Sequence, residues 1–243
     1  MADLPSPAGP SPAAGPPSAV VGPSPSAGPS PPSGGPVRQL SLFGTEAADP
    51  SPADLAGLLV GPGEIVRMGG TARLSIMVDA AWRVHVLVAE LATRGLAANW
   101  EATPDGRHLV RTSYTSALAP LAVAWLRGQP EQAGDRTGVG PAPVKRPPPG
   151  FHLNGRRLRL WLAAAGVAEP SGHLLRLGPD DGPCHGPAGA ALAAVGLTAA
   201  FLDVGAGGPA YRITGRRRLA RLAELVGDRP AAAPSTQWPS GVS

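Results

Sequence analysis

Two stretches of this chain carry the same punctuation at the same spacing. Gly95-Leu96 and Gly196-Leu197 stand 101 positions apart, and each pair is followed by a small-residue step and then an aromatic, Trp100 or Phe201. Around each pair the apolar runs and breakers follow one order. In the first stretch Ser51 suits a cap and Pro52 a first helical position, and Leu55, Leu58 and Leu59 give an apolar helix face. Gly61-Pro62-Gly63 stops that helix. "EIVRM" and "TARLSIMV" alternate as strands and are joined by Gly69-Gly70, a hairpin signal. Asp79 is placed to cap a long helix, "AAWRVHVLVAELATR", closed by Gly95. "AANWEAT" and "RHLVRTSY" form a second hairpin across Pro104-Asp105-Gly106. "SALAPLAVAWLRG" reads as a closing helix that Pro120 delays or kinks.

The second stretch repeats the series. "NGRRLRLWLAAAG" is a helix with Leu158, Trp161 and Leu162 as core candidates. "VAEP" and "GHLLRLG" are a strand pair, and "GPAGAALAAVG" is a helix that ends at Gly196. "AAFLDV" and "PAYRITG" make a hairpin over Gly205–Gly208, and "RRRLARLAELVG" closes the unit with Leu219, Leu222 and Val226 at helical spacing. The expected class is α+β: two pseudo-symmetric αββαββα repeats, 51–128 and 151–228, from a divergent duplication. Two coincidentally similar lobes are the alternative.

The flanks read differently. Residues 1–50 are mostly Pro, Gly, Ser and Ala, too poor in apolar side chains to offset chain entropy, so a disordered tail is expected there. Residues 129–150 read as a linker and 229–243 as a second disordered tail, since "DRPAAAPSTQWPSGVS" has no helical period. The lone cysteine, Cys184, excludes an intramolecular disulfide and a multi-cysteine zinc site. No signal-peptide pattern and no apolar run of membrane-spanning length is present, so a cytoplasmic, nucleoid-associated protein without membrane contact is expected. The formal net charge is +4. Residues 54–143 balance eight basic against eight acidic side chains, whereas Val144 onward has twelve against six. A basic excess of this kind is the footprint of phosphate contacts; the Arg usage of a GC-rich genome is the competing explanation.

"DLAGLLVGPGE" (54–64), opening an αββαββα unit, resembles the LAGLIDADG fold of homing endonucleases. "VKRPPPGFHLNGRRLRLWLAAAGVAEPSGHLLRL" (144–177) and "DGRHLVRTSYTSALA" (105–119) resemble the LAGLIDADG-like domain of the bacterial sporulation regulator WhiA, whose helix-turn-helix domain has no counterpart here. The resemblance implies a saddle in which the two opening helices pack side by side through small residues. Ala56 and Gly57 offer them in the first helix, and Ala163, Ala164, Ala165 and Gly166 in the second. In the endonucleases each opening helix ends in a metal-binding acid. The same alignment puts Pro62 at the first such place and Gly166 or Val167 at the second, with Glu64 and Glu169 displaced into the next strands. The implied protein is non-catalytic, without cofactor or metal, as WhiA is understood to be.

Other chemistry is weakly signalled. His85 and Glu90 do not share a helix face. His173, Cys184 and His185 lack a third ligand at sensible spacing, and Cys184 sits in what reads as a turn. "GAGGP" joins two strands rather than a strand and a helix, so it is no phosphate loop. In the tail, Gln39-Leu40-Ser41-Leu42-Phe43 resembles the pentapeptide by which bacterial replication and repair proteins bind the β sliding clamp. Gln39 would hydrogen-bond at one end of a surface pocket, and Leu40, Leu42 and Phe43 would supply apolar anchors. The alternative is that Leu40–Phe43 pack on the domain as an arm.

The expected protein is therefore a monomeric, non-cleaving DNA-binding module tethered to the clamp, acting in replication or repair of an actinobacterium-like host. A WhiA-like developmental regulator working through a partner is the alternative, and a metal-dependent endonuclease with relocated carboxylates the next. The DNA-contact candidates are Arg73, Arg107 and Arg111 in the first repeat and Arg176 and Arg212 in the second. Arg216, Arg217 and Arg218 join them at the mouth of the last helix.

Overall fold

The computed structural model describes residues 49–127 and 144–240. The clamp-motif residues Gln39, Leu40, Leu42 and Phe43 lie outside them. The described chain is α+β, with the αββαββα order in both repeats. In the first repeat a short 3-10 turn, Pro52–Leu55, runs into α1 (Ala56–Val60). The backbone N–H of Ser51 donates to Asp54 Oδ2 at 3.1 Å, tying down the helix entry. Then come β1 (Glu64–Met68), β2 (Thr71–Val78), α2 (Ala81–Thr93), β3 (Ala98–Ala102), β4 (His108–Thr112) and α3 (Ala119–Trp125). The second repeat has α4 (Gly155–Ala165), β5 (Gly166–Glu169), β6 (Gly172–Arg176), α5 (Gly182–Ala194), β7 (Ala200–Leu202), β8 (Ala210–Thr214) and α6 (Arg216–Val226).

Each repeat forms one four-stranded antiparallel sheet, in the orders β1-β2-β4-β3 and β5-β6-β8-β7. Gly69 and Gly70 close the first hairpin with Met68 opposite Thr71, and Gly69 takes φ +58°, where a side chain would be strained. The sheets bury one face. Ile65, Leu74, Ile76 and Val110 do so in the first, and Leu175, Tyr211 and Ile213 in the second. Helices cover that face, and a single apolar core runs through both repeats.

The opening helices supply the join. A Cβ on Gly57 would stand 1.9 Å from the carbonyl oxygen of Arg157, and one on Gly61 would stand 2.6 Å from Cδ1 of Trp161. Glycines four residues apart on α1 thus lie against residues four apart on α4, so the helices approach backbone to backbone. The small residues that matter on α1 are Gly57 and Gly61. On α4 the positions that meet these two glycines are Arg157 and Trp161, and the expected run Ala163–Ala165 is buried beyond them.

Three local readings change. Asp79 does not cap α2: the N-cap is Ala80, and Asp79 instead accepts from Arg83 Nε at 2.8 Å. By contrast Pro120 delays its helix as expected: α3 begins at Ala119 after a 3-10 turn, with Pro120 in its first turn, where its missing N–H costs nothing. Helix α5 starts at Gly182, so Cys184 is helical although Pro183 and Pro187 both lie in it. Pro183 falls in the first turn, and Cys184, Ala188, Ala191 and Leu192 are buried at helical spacing, a burial that outweighs Pro187. Residues 229–240 are not a loose tail. Ala233 and Trp238 are buried, Trp238 Nε1 donates to Gly227 O at 3.1 Å, and Gln237 Oε1 accepts from Ala168 N at 3.5 Å. The aromatic anchor makes a strap of a segment that has no period of its own.

Candidate nucleic-acid interface

Strand register sorts the candidate arginines. Residues opposite one another in an antiparallel pair share a face, as do residues two apart in a strand. Val66 pairs with Arg73 and Ser75 with Arg111, so both arginines stand on the face opposite the core. In the second sheet Leu174 pairs with Arg212 and Arg176 with Ala210, which puts Arg176 and Arg212 on the corresponding face. Arg111 and Arg212, like the glycines that revealed the repeat, stand 101 positions apart. A basic residue thus stands at the equivalent open-face position in both halves.

These cations are not equally available. Arg111 pairs with Glu101 on the neighbouring strand. Arg212 reaches Glu169 with two nitrogens, Nε at 2.8 Å and Nη2 at 3.2 Å. Arg73 lies over the Tyr114 ring, 4.9 Å from its centroid, and has no carboxylate partner among the described residues. Arg176 is exposed and also lacks an ion-pair partner there. Arg107 is confined to the β3–β4 turn, where Nε pairs with Asp105 at 2.5 Å, so it sits at the sheet's end rather than on its face. Arg216, Arg217 and Arg218 are exposed at the start of α6, and only Arg218 has a described partner, Thr214 O at 3.0 Å.

The ends of the opening helices hold groups that the residue pattern did not single out. Lys145, the only lysine in the chain, is 4% exposed. Its Nζ donates to Gly61 O at 2.6 Å and Gly63 O at 2.5 Å and pairs with Asp181 at 2.7 Å, at the C-terminal end of α1. Arg83, 3% exposed, crosses from α2 to the C-terminal end of α4. It donates to Leu162 O at 3.3 Å, Ala163 O at 2.9 Å and Gly166 O at 2.5 Å, and stacks on Trp82. Burial pulls its pKa below the ordinary guanidinium value, against the pull of Asp79. Both helix ends carry the negative pole of the helix dipole, which a cation neutralises. In each case the cation comes from outside the repeat whose helix it caps.

The carboxylates nearest those ends, Asp181 and Asp79, are each paired with the buried cation, Asp181 with Lys145 at 2.7 Å and Asp79 with Arg83 at 2.8 Å. Glu64 is exposed on the open face of β1, and Glu169 is engaged by Arg212. Among the described residues no cluster of three His, Cys, Asp or Glu side chains could hold a metal ion. Cys184 is buried, with Sγ 3.7 Å from Lys145 O, and burial is the main cause that pushes its thiol up to about 11. His185 stacks on Phe201. His173 is buried on the core face of β6, where desolvation lowers its pKa.

A second set of charges joins the repeats away from the open faces. Arg94 pairs with buried Asp54 at 3.1 Å and with Glu90 at 2.7 Å, and Glu90 pairs with Arg159 of α4 at 2.8 Å. Arg159 continues to Val226 O at 2.8 Å and Asp228 O at 2.6 Å and lies over the Trp238 ring. Burial raises the Glu90 pKa, but hydrogen bonds from Arg159 and Arg94 outweigh it and hold the carboxyl below its ordinary value.

Among the described residues no helix is long and apolar enough to cross a membrane. No protein-family model matches the chain, and no curated protein matches it. A search of solved structures finds the homing endonuclease I-WcaI bound to its DNA recognition sequence, at TM-score 0.49 and 12% identity, covering 74% of this chain and 82% of that one.

Proposed function

We propose that this protein is a non-cleaving DNA-binding module that is held at the replication clamp by its N-terminal motif and acts in replication or repair. The observation that carries DNA binding is the register. Arg73, Arg111, Arg176 and Arg212 all project from the sheet faces that the helices leave open, and the second half of the chain has the excess of basic residues. Four arginines against Glu64, Glu101 and Glu169 make a mildly positive face. Such a surface suits phosphate positioning more than base reading. Arg216 and Arg217, with no described partner, extend it at the α6 entrance. Cations at a helix N-terminus oppose its dipole by some tenths of a kcal/mol, a cost that a bound phosphate offsets.

Lack of cleavage is supported by what fills the helix ends: Pro62 stands at the motif's acidic position, and the one carboxylate at the α1 end, Asp181, is neutralised by buried Lys145, whereas metal-assisted hydrolysis needs convergent, available carboxylates. The tether rests on Gln39, Leu40, Leu42 and Phe43, a short peptide motif in a Pro-rich segment long enough to reach a ring around DNA.

Fluorescence anisotropy on a labelled duplex across a salt series tests the first part. Changing Arg73 and Arg176 to Ala, or Arg216, Arg217 and Arg218 together, should weaken binding equally for all sequences. The log–log salt slope should drop by about one unit per lost phosphate contact. Unchanged affinity and slope would remove DNA from the reading. Calorimetry with a Val37–Thr45 peptide and the clamp tests the second part. Binding near 1 μM, about 8 kcal/mol, is expected, and Phe43→Ala should cost about 2 kcal/mol.

A further inference from the structure

The two cations buried at the ends of the opening helices sit in different surroundings. Arg83 spreads a planar guanidinium over the carbonyls of α4 and keeps its own carboxylate, Asp79. Lys145 places a single point charge among three oxygens: Gly61 O at 2.6 Å, Gly63 O at 2.5 Å and Asp181 Oδ2 at 2.7 Å. The backbone that presents these oxygens is held by hydrogen bonds that do not involve the lysine. The Gly63 N–H donates to Leu58 O at 2.9 Å, which holds the turn that presents both carbonyls. Asp181 starts α5, accepting from Cys184 N at 2.8 Å and donating its own N–H to Gly178 O at 3.2 Å. A Cβ on Gly178 would lie 1.9 Å from Asp181 Oδ2, so a side chain at residue 178 would push the carboxylate from this place.

Two backbone carbonyls and one carboxylate are the donor set of a hard, oxygen-seeking cation. We infer that Gly61 O, Gly63 O and Asp181 Oδ2 form a built cation site, which Lys145 fills as a covalently tethered ion. Contacts of 2.5–2.7 Å suit an ammonium ion, lie at the upper end of calcium–oxygen distances and are too long for magnesium. The tether does two things at once: it neutralises the end of α1 and anchors the start of the second half, Val144–Arg146, to the first. It also makes the fold independent of dissolved metal. This assignment stands apart from the DNA reading, and its test contains no DNA.

The test is thermal unfolding of the full chain in EDTA, then with calcium, potassium, magnesium or propylammonium, for the native protein and for Lys145→Ala and Lys145→Met. The native Tm should be the same in EDTA and in millimolar calcium. Lys145→Ala should melt several degrees lower, and calcium or propylammonium should restore at least half of the loss, with magnesium restoring less. Adding Asp181→Asn to Lys145→Ala should abolish the recovery. Lys145→Met, whose apolar chain refills the space, should melt low and gain nothing from any cation. If Lys145→Ala stays unfolded or equally destabilised in every cation, or if Lys145→Met recovers as well as Lys145→Ala, the assignment is overturned and Lys145 is a helix cap only.

Discussion

Gly57 has no room for a side chain, because the space beside it belongs to the backbone of Arg157. Gly57→Ala should therefore cost at least about 1–3 kcal/mol by overpacking, whereas Gly70→Ala, with nothing within 4 Å of a new Cβ, should stay within about 0.5 kcal/mol. Urea titration of the two variants checks this, and similar midpoints would mean the helices separate readily. Cys184 is the other residue with a clear expectation. A thiol pushed up to about 11 by burial is protonated at neutral pH. It should react with a thiol reagent only as fast as the protein opens, and rapidly in denaturant. Immediate labelling of the native protein would contradict the burial.

At the scale of elements, β6 sets the acid sensitivity. His173 lies on its core face, and desolvation lowers its pKa below the ordinary 6.5. The unfolded chain then binds the proton first as pH falls, so stability is complete above about 6.5 and declines through the window below it, by up to about 1.4 kcal/mol per pH unit. His173→Leu should flatten that window. Glu90, held below 4.5 by its hydrogen bonds, opens a separate and more acidic one. Its stabilisation is present above the ordinary carboxyl value and is lost as pH falls through the lowered one. Denaturant midpoints between pH 7 and pH 3 should show two declines, with only the upper one removed in His173→Leu. The strap after α6 is a further element with a measurable weight. Trp238→Ala removes a buried indole and leaves Gly227 O without its donor, so a loss of about 3–5 kcal/mol is expected from chemical denaturation.

For the whole molecule, the repeats are not independent folding units. Each opening helix is capped by a cation from beyond its own repeat, one core runs through both, and Glu90 and Arg159 pair across the boundary. Residues 49–127 expressed alone should therefore show no cooperative thermal transition, since Lys145, Trp161 and Arg159 would all be missing. A sharp transition near that of the full chain would contradict this.

The sequence by itself determined the repeat. Strands with period-2 alternation, paired glycines at the first hairpin and apolar residues at helical spacing act over a few residues, so β1, β2, α4 and α6 fall where local pattern puts them. The open-face arginines were equally legible, because alternation alone assigns a strand residue to one face or the other. Tertiary structure decided the rest. Lys145 sits in a Pro-rich run that reads as a solvated linker, and its two carbonyl partners are 82 and 84 residues away. Arg83 reads as a polar interruption of an apolar helix until α4 lies beside it. The α5 start and the C-terminal strap contradict local propensity and depend on burying Cys184 and Trp238. Short-range hydrogen bonding and side-chain alternation are written in consecutive residues. The burial that makes a lone cation favourable, or a proline tolerable inside a helix, exists only once distant segments have closed around it.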